Sequence, residues 1–303
     1  MGHIAEIIST SFQGGANASG RFASELGNLR RELAAAAGAS SAVAVTIRAM
    51  RRAEAALRRP LRLAVVGESN SGKSTLTNLL LGVAVLPTLQ VANTRVPTLI
   101  RYGHSPSTIG VLDDGGTLPL TVDTRPPSTM VSVQVELPLV PLQACEIVDF
   151  PGFFDPLLGY DDMDLAGHGI DAAVWCTFST QAWKESERSA WQRLPSSARK
   201  YGILAITNMD RLKEDQTAKV AARLEKVARP DFRDLAYLSA MEAQLAFNGD
   251  GIVTDSETWQ RSGAAGLHEA VGRLLHDLRL DRLRKVQAIT GRMTANALQR
   301  LST

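Results

Sequence analysis

The sequence predicts an α/β fold in which a mostly parallel central sheet is covered by helices, accompanied by a helical bundle built from the two ends of the chain. Three observations predict it. Leu61 to Gly67 (LRLAVVG) is a short apolar run that ends in glycine and leads into an amphipathic stretch, as a buried parallel strand entering a loop and a helix does. From there to about Ser239, apolar runs alternate with amphipathic ones, the pattern of a parallel sheet with helices on both faces. Before and beyond that region the apolar residues recur at three-and-four spacing alone, which is the period of a helix.

Taken in order, residues 19–59 read as two helices. Phe22, Leu26, Leu29 and Leu33 share one helical face, and after the Gly38-Ala-Ser-Ser break so do Val43, Ile47, Met50 and Leu57. The short apolar start, Ile4 to Phe12, reads as a frayed end. Pro60 closes this hairpin. Strands are expected over 61–67, 96–102, 108–112, 130–137, 145–149, 171–178, 202–207 and 234–238, and helices over 73–81, 187–200, 214–227 and 240–247. Residues 105–141, with Asp113-Asp-Gly-Gly and several prolines, read as a hairpin and an irregular excursion at the sheet edge. Beyond Gly263, Leu267, Val271, Leu274 and Leu278, then Leu283, Val286, Ile289 and Met293, imply a helix approaching ~60 Å at ~1.5 Å per residue. Its apolar stripe and that of the N-terminal hairpin need mutual cover, so the two are expected to pack as a bundle. The expected organisation is therefore 1–60 as a helical hairpin, 61–255 as the α/β domain and 256–303 as the C-terminal helix.

Composition excludes several classes. A chain of 303 residues with 45% hydrophobic content can bury a sizeable core. The net charge of +2 does not by itself point to nucleic acid, and no RNA-binding motif is present, so no nucleic-acid partner is expected. Cys145 and Cys176 lie in separate strand-like runs, which suits a reduced cytoplasmic protein better than a disulfide scaffold. No apolar run reaches the ~20 residues that span a bilayer, and no signal peptide is recognisable. Arginines concentrate in the helical arms (Arg30, Arg31, Arg48, Arg51, Arg52, Arg58, Arg59, Arg273, Arg279, Arg282, Arg284). A solvated bundle face is the favoured reading over an anionic surface.

The chemistry is carried by a short set of motifs. Gly67-Glu68-Ser69-Asn70-Ser71-Gly72-Lys73-Ser74, followed by Thr75, fits the phosphate-loop pattern between a strand and a helix. Its glycines let successive amides face a β-phosphate, Lys73 neutralises β- and γ-oxygens, and Ser74 can ligate Mg2+. Asp149-Phe-Pro-Gly152 follows a second strand; its carboxylate can hold Mg2+ through water, and the Gly152 amide can sense a γ-phosphate. Thr207-Asn208-Met-Asp210 follows a third. A carboxylate there can accept from both N1–H and N2–H of guanine, a donor pair that adenine lacks. Ser239-Ala240 would bring a backbone amide to the guanine carbonyl oxygen. Thr94, between the first two motifs, can add a hydroxyl to Mg2+ and an amide to the γ-phosphate. Together these predict a P-loop GTPase domain.

These residues resemble the dynamin superfamily of large GTPases, particularly its bacterial dynamin-like members. The resemblance rests on GESNSGKST, the stretch from Leu86-Pro87 through Thr94-Arg-x-Pro97 to Arg101-Tyr-Gly103, Asp149-x-Pro-Gly152 and Thr207-x-x-Asp210, and covers roughly residues 61–239. It implies hydrolysis of GTP to GDP and phosphate, stimulated when two GTPase domains meet face to face, with Thr94 positioning the attacking water. Phe153 follows Gly152, so the glutamine that orients water in many small GTPases is absent. The resemblance implies reliance on loop residues and a monovalent cation (K+ or Na+) instead, with Asn70 as a candidate ligand. Asn208 stands where the family usually has lysine. The arms leave room for a neck but not a full stalk, so a short form is expected. The expected partners are GTP or GDP and a nucleotide-dependent homodimer or a hetero-assembly with another dynamin-like subunit. Peripheral contact with the inner membrane face is left open. The alternative reading is a nucleotide-gated adaptor of a longer dynamin-like subunit, with little hydrolysis of its own.

Overall fold

The computed structural model describes residues 3–36, 41–83, 96–121, 124–153, 167–248 and 252–301. In chain order the elements are α1 (His3–Ala36), α2 (Ser41–Arg58), β1 (Leu61–Gly67), α3 (Lys73–Leu81), β2 (Thr98–Tyr102), β3 (Ser107–Leu112), β4 (Thr117–Pro119), β5 (Met130–Leu137) and β6 (Cys145–Asp149). They continue with β7 (Ala172–Phe178), α4 (Glu185–Arg193), α5 (Ser196–Lys200), β8 (Gly202–Thr207), α6 (Glu214–Val227), β9 (Asp234–Tyr237), α7 (Ala240–Leu245), α8 (Ser256–Arg261) and α9 (Ala264–Leu301). The nine strands form one sheet in the order β4-β3-β5-β2-β6-β1-β7-β8-β9.

The half from β6 to β9 is wholly parallel. β2 runs antiparallel to β6, and β3 is antiparallel to both β4 and β5, so the excursion expected over 105–141 contributes strands to one edge. Burial on both faces explains the continuous apolar runs of the central strands. Leu63 and Val65 are buried, and so are Ala64 and Val66, which point to the opposite face. One side of the sheet packs an aromatic core: Trp175, Trp191 and Phe232 are buried with Phe150, Ile206 and Leu224. The Trp191 and Phe232 rings lie 4.4 Å apart, and Trp175 meets Trp191 edge-on at 6.0 Å. Both cysteines are buried thiols.

The helix expected over 187–200 is two helices. Leu194 adopts an extended ψ of 151° before Pro195, because proline disfavours the helical region for the residue preceding it and has no N–H to donate. β4 is the second arm of the hairpin expected around Asp113-Asp-Gly-Gly; α8 was not anticipated. The N-terminal helix starts at His3, so residues 4–12, expected as a frayed end, belong to it.

The chain divides into two compact units, residues 1–9 with 61–272, and residues 10–60 with 273–303. In the second unit, Ala23, Leu26 and Leu33 of α1, Val43, Met50 and Leu57 of α2, and Leu283 and Val286 of α9 form a common core. The seven-residue spacing on α2 keeps its contacts on one stripe. Two stripe members expected from periodicity are instead exposed, Leu29 at 40% and Ile289 at 48%. Ala23 and Thr290 are buried in the corresponding stretches, and the Thr290 hydroxyl is satisfied by the Val286 carbonyl at 2.8 Å. Several arm arginines hold the unit together. Arg30 and Arg58 both reach Glu54, each at 3.4 Å, and Arg282 donates to the carbonyls of Ala56 and Arg59 at the C-terminal end of α2, where a cation also meets the negative end of the helix dipole. No helix among the described residues is long and apolar enough to cross a membrane.

Candidate functional site

The site lies at the C-terminal ends of β1, β6 and β8, where ligands bind in open α/β sheets. Gly67 ends β1 with φ +148°, and a Cβ there would lie 2.3 Å from the Cys176 carbonyl oxygen, so only glycine lets the loop leave the sheet at this point. Gly72, at φ +90°, precedes the first turn of α3, and the helix opens with its N-terminus beside the loop, a favourable setting for an anion.

Lys73 is buried and its Nζ donates to the Glu68 carbonyl at 2.8 Å. Ser74 is exposed at the rim, and its hydroxyl donates to Asp149 Oδ2 at 3.3 Å. The other carboxylate oxygen, Asp149 Oδ1, is enclosed and has no hydrogen-bond partner among the described residues. Burial raises the Asp149 carboxyl from 3.8 to about 6, against the opposing pull of the Lys73 cation and the Ser74 hydroxyl. The segment after β6 runs alongside the loop: Phe150 N–H donates to Val65 O at 3.1 Å and Phe153 N–H to Gly67 O at 3.0 Å. This brings Gly152 against Ser69, so closely that a Cβ on Gly152 would lie 2.4 Å from Ser69 Oγ.

The third motif is tied to the first. Thr207 Oγ1 donates to the Ser71 carbonyl at 2.8 Å, linking the end of β8 to the phosphate loop. Asn208 takes a left-handed conformation with φ 57°, its carbonyl accepting from Ser179 Oγ at 2.8 Å. This turn carries Asp210 to an exposed position. Met209 N–H donates to Leu238 O at 3.2 Å, joining this loop to the one after β9. Ser239 donates its own amide to Ser262 O at 2.9 Å and caps α7 through its hydroxyl, which accepts from Glu242 N–H at 3.4 Å. The amide left to serve a ligand carbonyl from this dipeptide is therefore that of Ala240, the first residue of α7.

The structure thus brings together Gly67 through Thr75, Asp149, Gly152, Thr207, Asn208, Asp210, Ser239 and Ala240. Thr94 lies outside the described residues. Ser69 and Asn70 are exposed on the loop, Asn70 with φ 62°. One contact was not read from the sequence: Lys184, at the start of α4, lies 2.6 Å from the Glu68 carboxylate. The two are 116 positions apart, and no local pattern pairs them. No group of three His, Cys, Asp or Glu side chains among the described residues could hold a metal ion by itself.

Against known proteins, a family model described as the Dynamin family matches residues 63–116, covering β1, the phosphate loop and α3 and reaching into the antiparallel edge. Dynamin-like protein 2 of Campylobacter jejuni is 26% identical over 196 residues, covering 61% of this chain and 32% of that protein. Over these stretches the chain is similar to dynamin-family proteins. A second relative, the isoniazid-induced protein IniC of Mycobacterium tuberculosis, is 34% identical over 114 residues, 33% of this chain and 22% of that one. The chain therefore spans a third or less of the length of these curated relatives. Among solved structures, an oligomerised bacterial dynamin pair matches with a TM-score of 0.64 at 15% identity, covering 99% of this chain and 56% of that one. That structure is described as providing a mechanism for the long-range sensing and tethering of membranes. The bacterial dynamin GTPase LeoA from ETEC matches with a TM-score of 0.53 at 18% identity, over 100% of this chain and 50% of its own. These two likenesses establish the shared fold.

Proposed function

We propose that this protein is a dynamin-superfamily GTPase that binds GTP and hydrolyses it to GDP and phosphate, and that hydrolysis accelerates when two nucleotide-bound domains meet. The observation that carries the reading is the convergence of Lys73, Ser74 and Asp149 on one crevice, with Asp149 Oδ1 enclosed and unpartnered. An orphaned buried carboxylate oxygen is costly unless a ligand satisfies it. The donor set is a carboxylate and a hydroxyl, hard oxygen ligands of the kind Mg2+ takes together with nucleotide phosphates and water. Ser74 directly and Asp149 through water would hold that ion, which when bound neutralises charge developing on the β- and γ-phosphates.

In this reading Lys73 compensates the phosphate oxygens and the Gly152 amide reads the γ-phosphate. Asp210 selects guanine by accepting from N1–H and N2–H. Asn208, in place of a lysine, removes an aliphatic stem from the base and lowers affinity without altering selection. Thr94 closes over the triphosphate. With Phe153 after Gly152, no glutamine orients the water, and the reading assigns part of that role to a monovalent cation near Asn70. Equal hydrolysis rates in potassium and choline buffers would sink the cation assignment. The solved dynamin pair that tethers membranes extends the proposal to peripheral membrane contact through a partner at the cytoplasmic face. Co-sedimentation with anionic vesicles only when the partner is present tests that extension.

Titration with GTP, GDP and ATP, followed by size-exclusion with a transition-state mimic, tests the core of the proposal. Guanine selectivity and a dimer formed only with the mimic are expected, and Lys73→Ala should abolish both; an unaffected variant overturns the assignment. Specific activity that rises with protein concentration supports catalysis by paired domains. A flat, near-zero curve favours the adaptor reading, for which the missing glutamine is the supporting observation.

A further inference from the structure

We infer that Lys184 is a positioning residue for the nucleotide, acting through Glu68: it neutralises a carboxylate that the phosphate loop carries beside its own ligand, and so sets the affinity for the triphosphate. The inference rests on the GTP-binding reading above. Glu68 is the second residue of the loop, and a negative side chain there opposes a polyphosphate. Its carboxylate is drawn to Lys184 Nζ at 2.6 Å and accepts from Ser186 Oγ at 3.3 Å, both from the start of α4. The Glu68 backbone meanwhile stays in the loop, bridged to Phe153 and accepting from Lys73 at 2.8 Å.

Lys184 is itself held firmly. Its amide donates to Glu187 Oε2 at 2.9 Å, and the same buried carboxylate accepts from Thr177 Oγ1 at 2.9 Å and Trp175 Nε1 at 3.1 Å. The preceding residue, Trp183, has φ 59°, a left-handed conformation that is an outlier for a bulky side chain. Its amide is fixed by Thr177 Oγ1 at 3.1 Å, and its ring packs edge-on against Phe232 at 4.7 Å. Strain of this kind persists where the surroundings over-determine it and concentrates at functional sites. It is not accounted for by the stability of the ion pair, because a pair with side-chain exposures of 40% and 24% contributes little to folding. The strained turn aims Lys184 at the loop, and what the loop gains is charge compensation next to the phosphates.

The charge logic separates this from a merely structural role. Lys184→Met leaves Glu68 uncompensated beside the nucleotide, whereas the double variant Glu68→Gln with Lys184→Met removes both charges. Binding of fluorescent GTP and GDP analogues is measured in Mg2+ buffer at about 50 mM and about 300 mM salt. Lys184→Met should weaken GTP binding about tenfold, equivalent to about 1.4 kcal/mol. The loss for GDP should be smaller, because GDP carries less negative charge, and both deficits should shrink at the higher salt. The double variant should return to within about twofold of wild type, Lys184→Arg should bind as wild type does, and Glu68→Gln alone should bind GTP at least as tightly. A double variant as weak as Lys184→Met overturns the inference, as does a Lys184→Met variant that binds GTP like wild type. If Lys184→Met does not fold, weakened binding by Glu68→Gln overturns it instead. Wild-type protein that binds neither nucleotide overturns this inference together with the reading it rests on.

Discussion

Asp149 makes the folded protein less stable when no ligand is bound, and Asp149→Asn should reveal by how much. A carboxyl that titrates at about 6 in the folded chain and at its ordinary 3.8 in the unfolded one is held protonated by the fold across that interval while the unfolded chain has released its proton. Stability of the nucleotide-free protein therefore falls as pH rises through this window and levels off above it, once both states are ionised. At pH 7.5 the ionised side chain costs the fold about 3 kcal/mol. Asparagine keeps the shape and an acceptor for the Ser74 hydroxyl while removing the buried charge. In EDTA at pH 7.5 the variant should melt about 6–12 °C above wild type, and the difference should fade toward pH 4. With Mg2+ and GTP the order should reverse, since only wild type gains binding energy. Thermal melts at a series of pH values, with and without Mg2+ and GTP, read both effects. A variant that melts at or below wild type in EDTA at pH 7.5, or a wild type whose stability is flat between pH 4 and 7, refutes the reasoning.

Gly152→Ala drives a methyl into Ser69, with Cα and N at 2.7 Å as well as the hydroxyl; backbone must move, so titration should show GTP affinity lowered at least about tenfold with GDP little changed. Gly263→Ala, at φ +79° with its Cβ 1.9 Å from the Tyr237 carbonyl oxygen, should cost more than ~3 kcal/mol in urea denaturation, and a loss under ~1 kcal/mol would contradict the geometry. Met50→Ala empties the centre of the helical unit, where Met50 is fully buried; a loss of about 2–5 kcal/mol is expected for that unit, followed by helical circular dichroism.

The sheet and the phosphate loop were legible because buried parallel strands need continuous apolar runs and the loop needs particular residues at fixed spacing. β1, β5, β6 and β8 fall within the bounds read from sequence. β4 was legible only through its turn, Asp113-Asp-Gly-Gly, because a three-residue edge strand with two exposed positions has no apolar face to give its bounds. α8 is six residues long with one buried anchor, Trp259, too short for periodicity, although Asp255 was readable as its cap: its carboxylate accepts from the Glu257 and Thr258 amides. Leu29 and Ile289 were misassigned to the buried stripe because a helix drifts relative to any fixed repeat and small residues can occupy the contact face. The partner of Glu68 was invisible for another reason: the contact between Glu68 and Lys184 exists only once β1 and β7 are side by side.

The non-glycine residues with left-handed backbones cluster around the phosphate loop. A carboxylate is buried without a full set of partners at Asp149, and non-glycine residues sit in left-handed conformations at Asn70, Trp183 and Asn208. Each of these disfavours folding, and all four lie in the phosphate loop or in segments bonded to it. Beneath them, Val65, Val66, Val174, Trp175 and Ile206 are fully buried, and Glu187 has three donors on its carboxylate. A sheet packed on both faces supplies the stability against which such exceptions can stand, and the tryptophan core lies directly under the turn that carries Lys184. Stabilising substitutions should therefore divide cleanly. Those in the helical unit should leave nucleotide binding unchanged, whereas those that relieve Asp149 or Trp183 should raise the melting temperature and weaken GTP binding together.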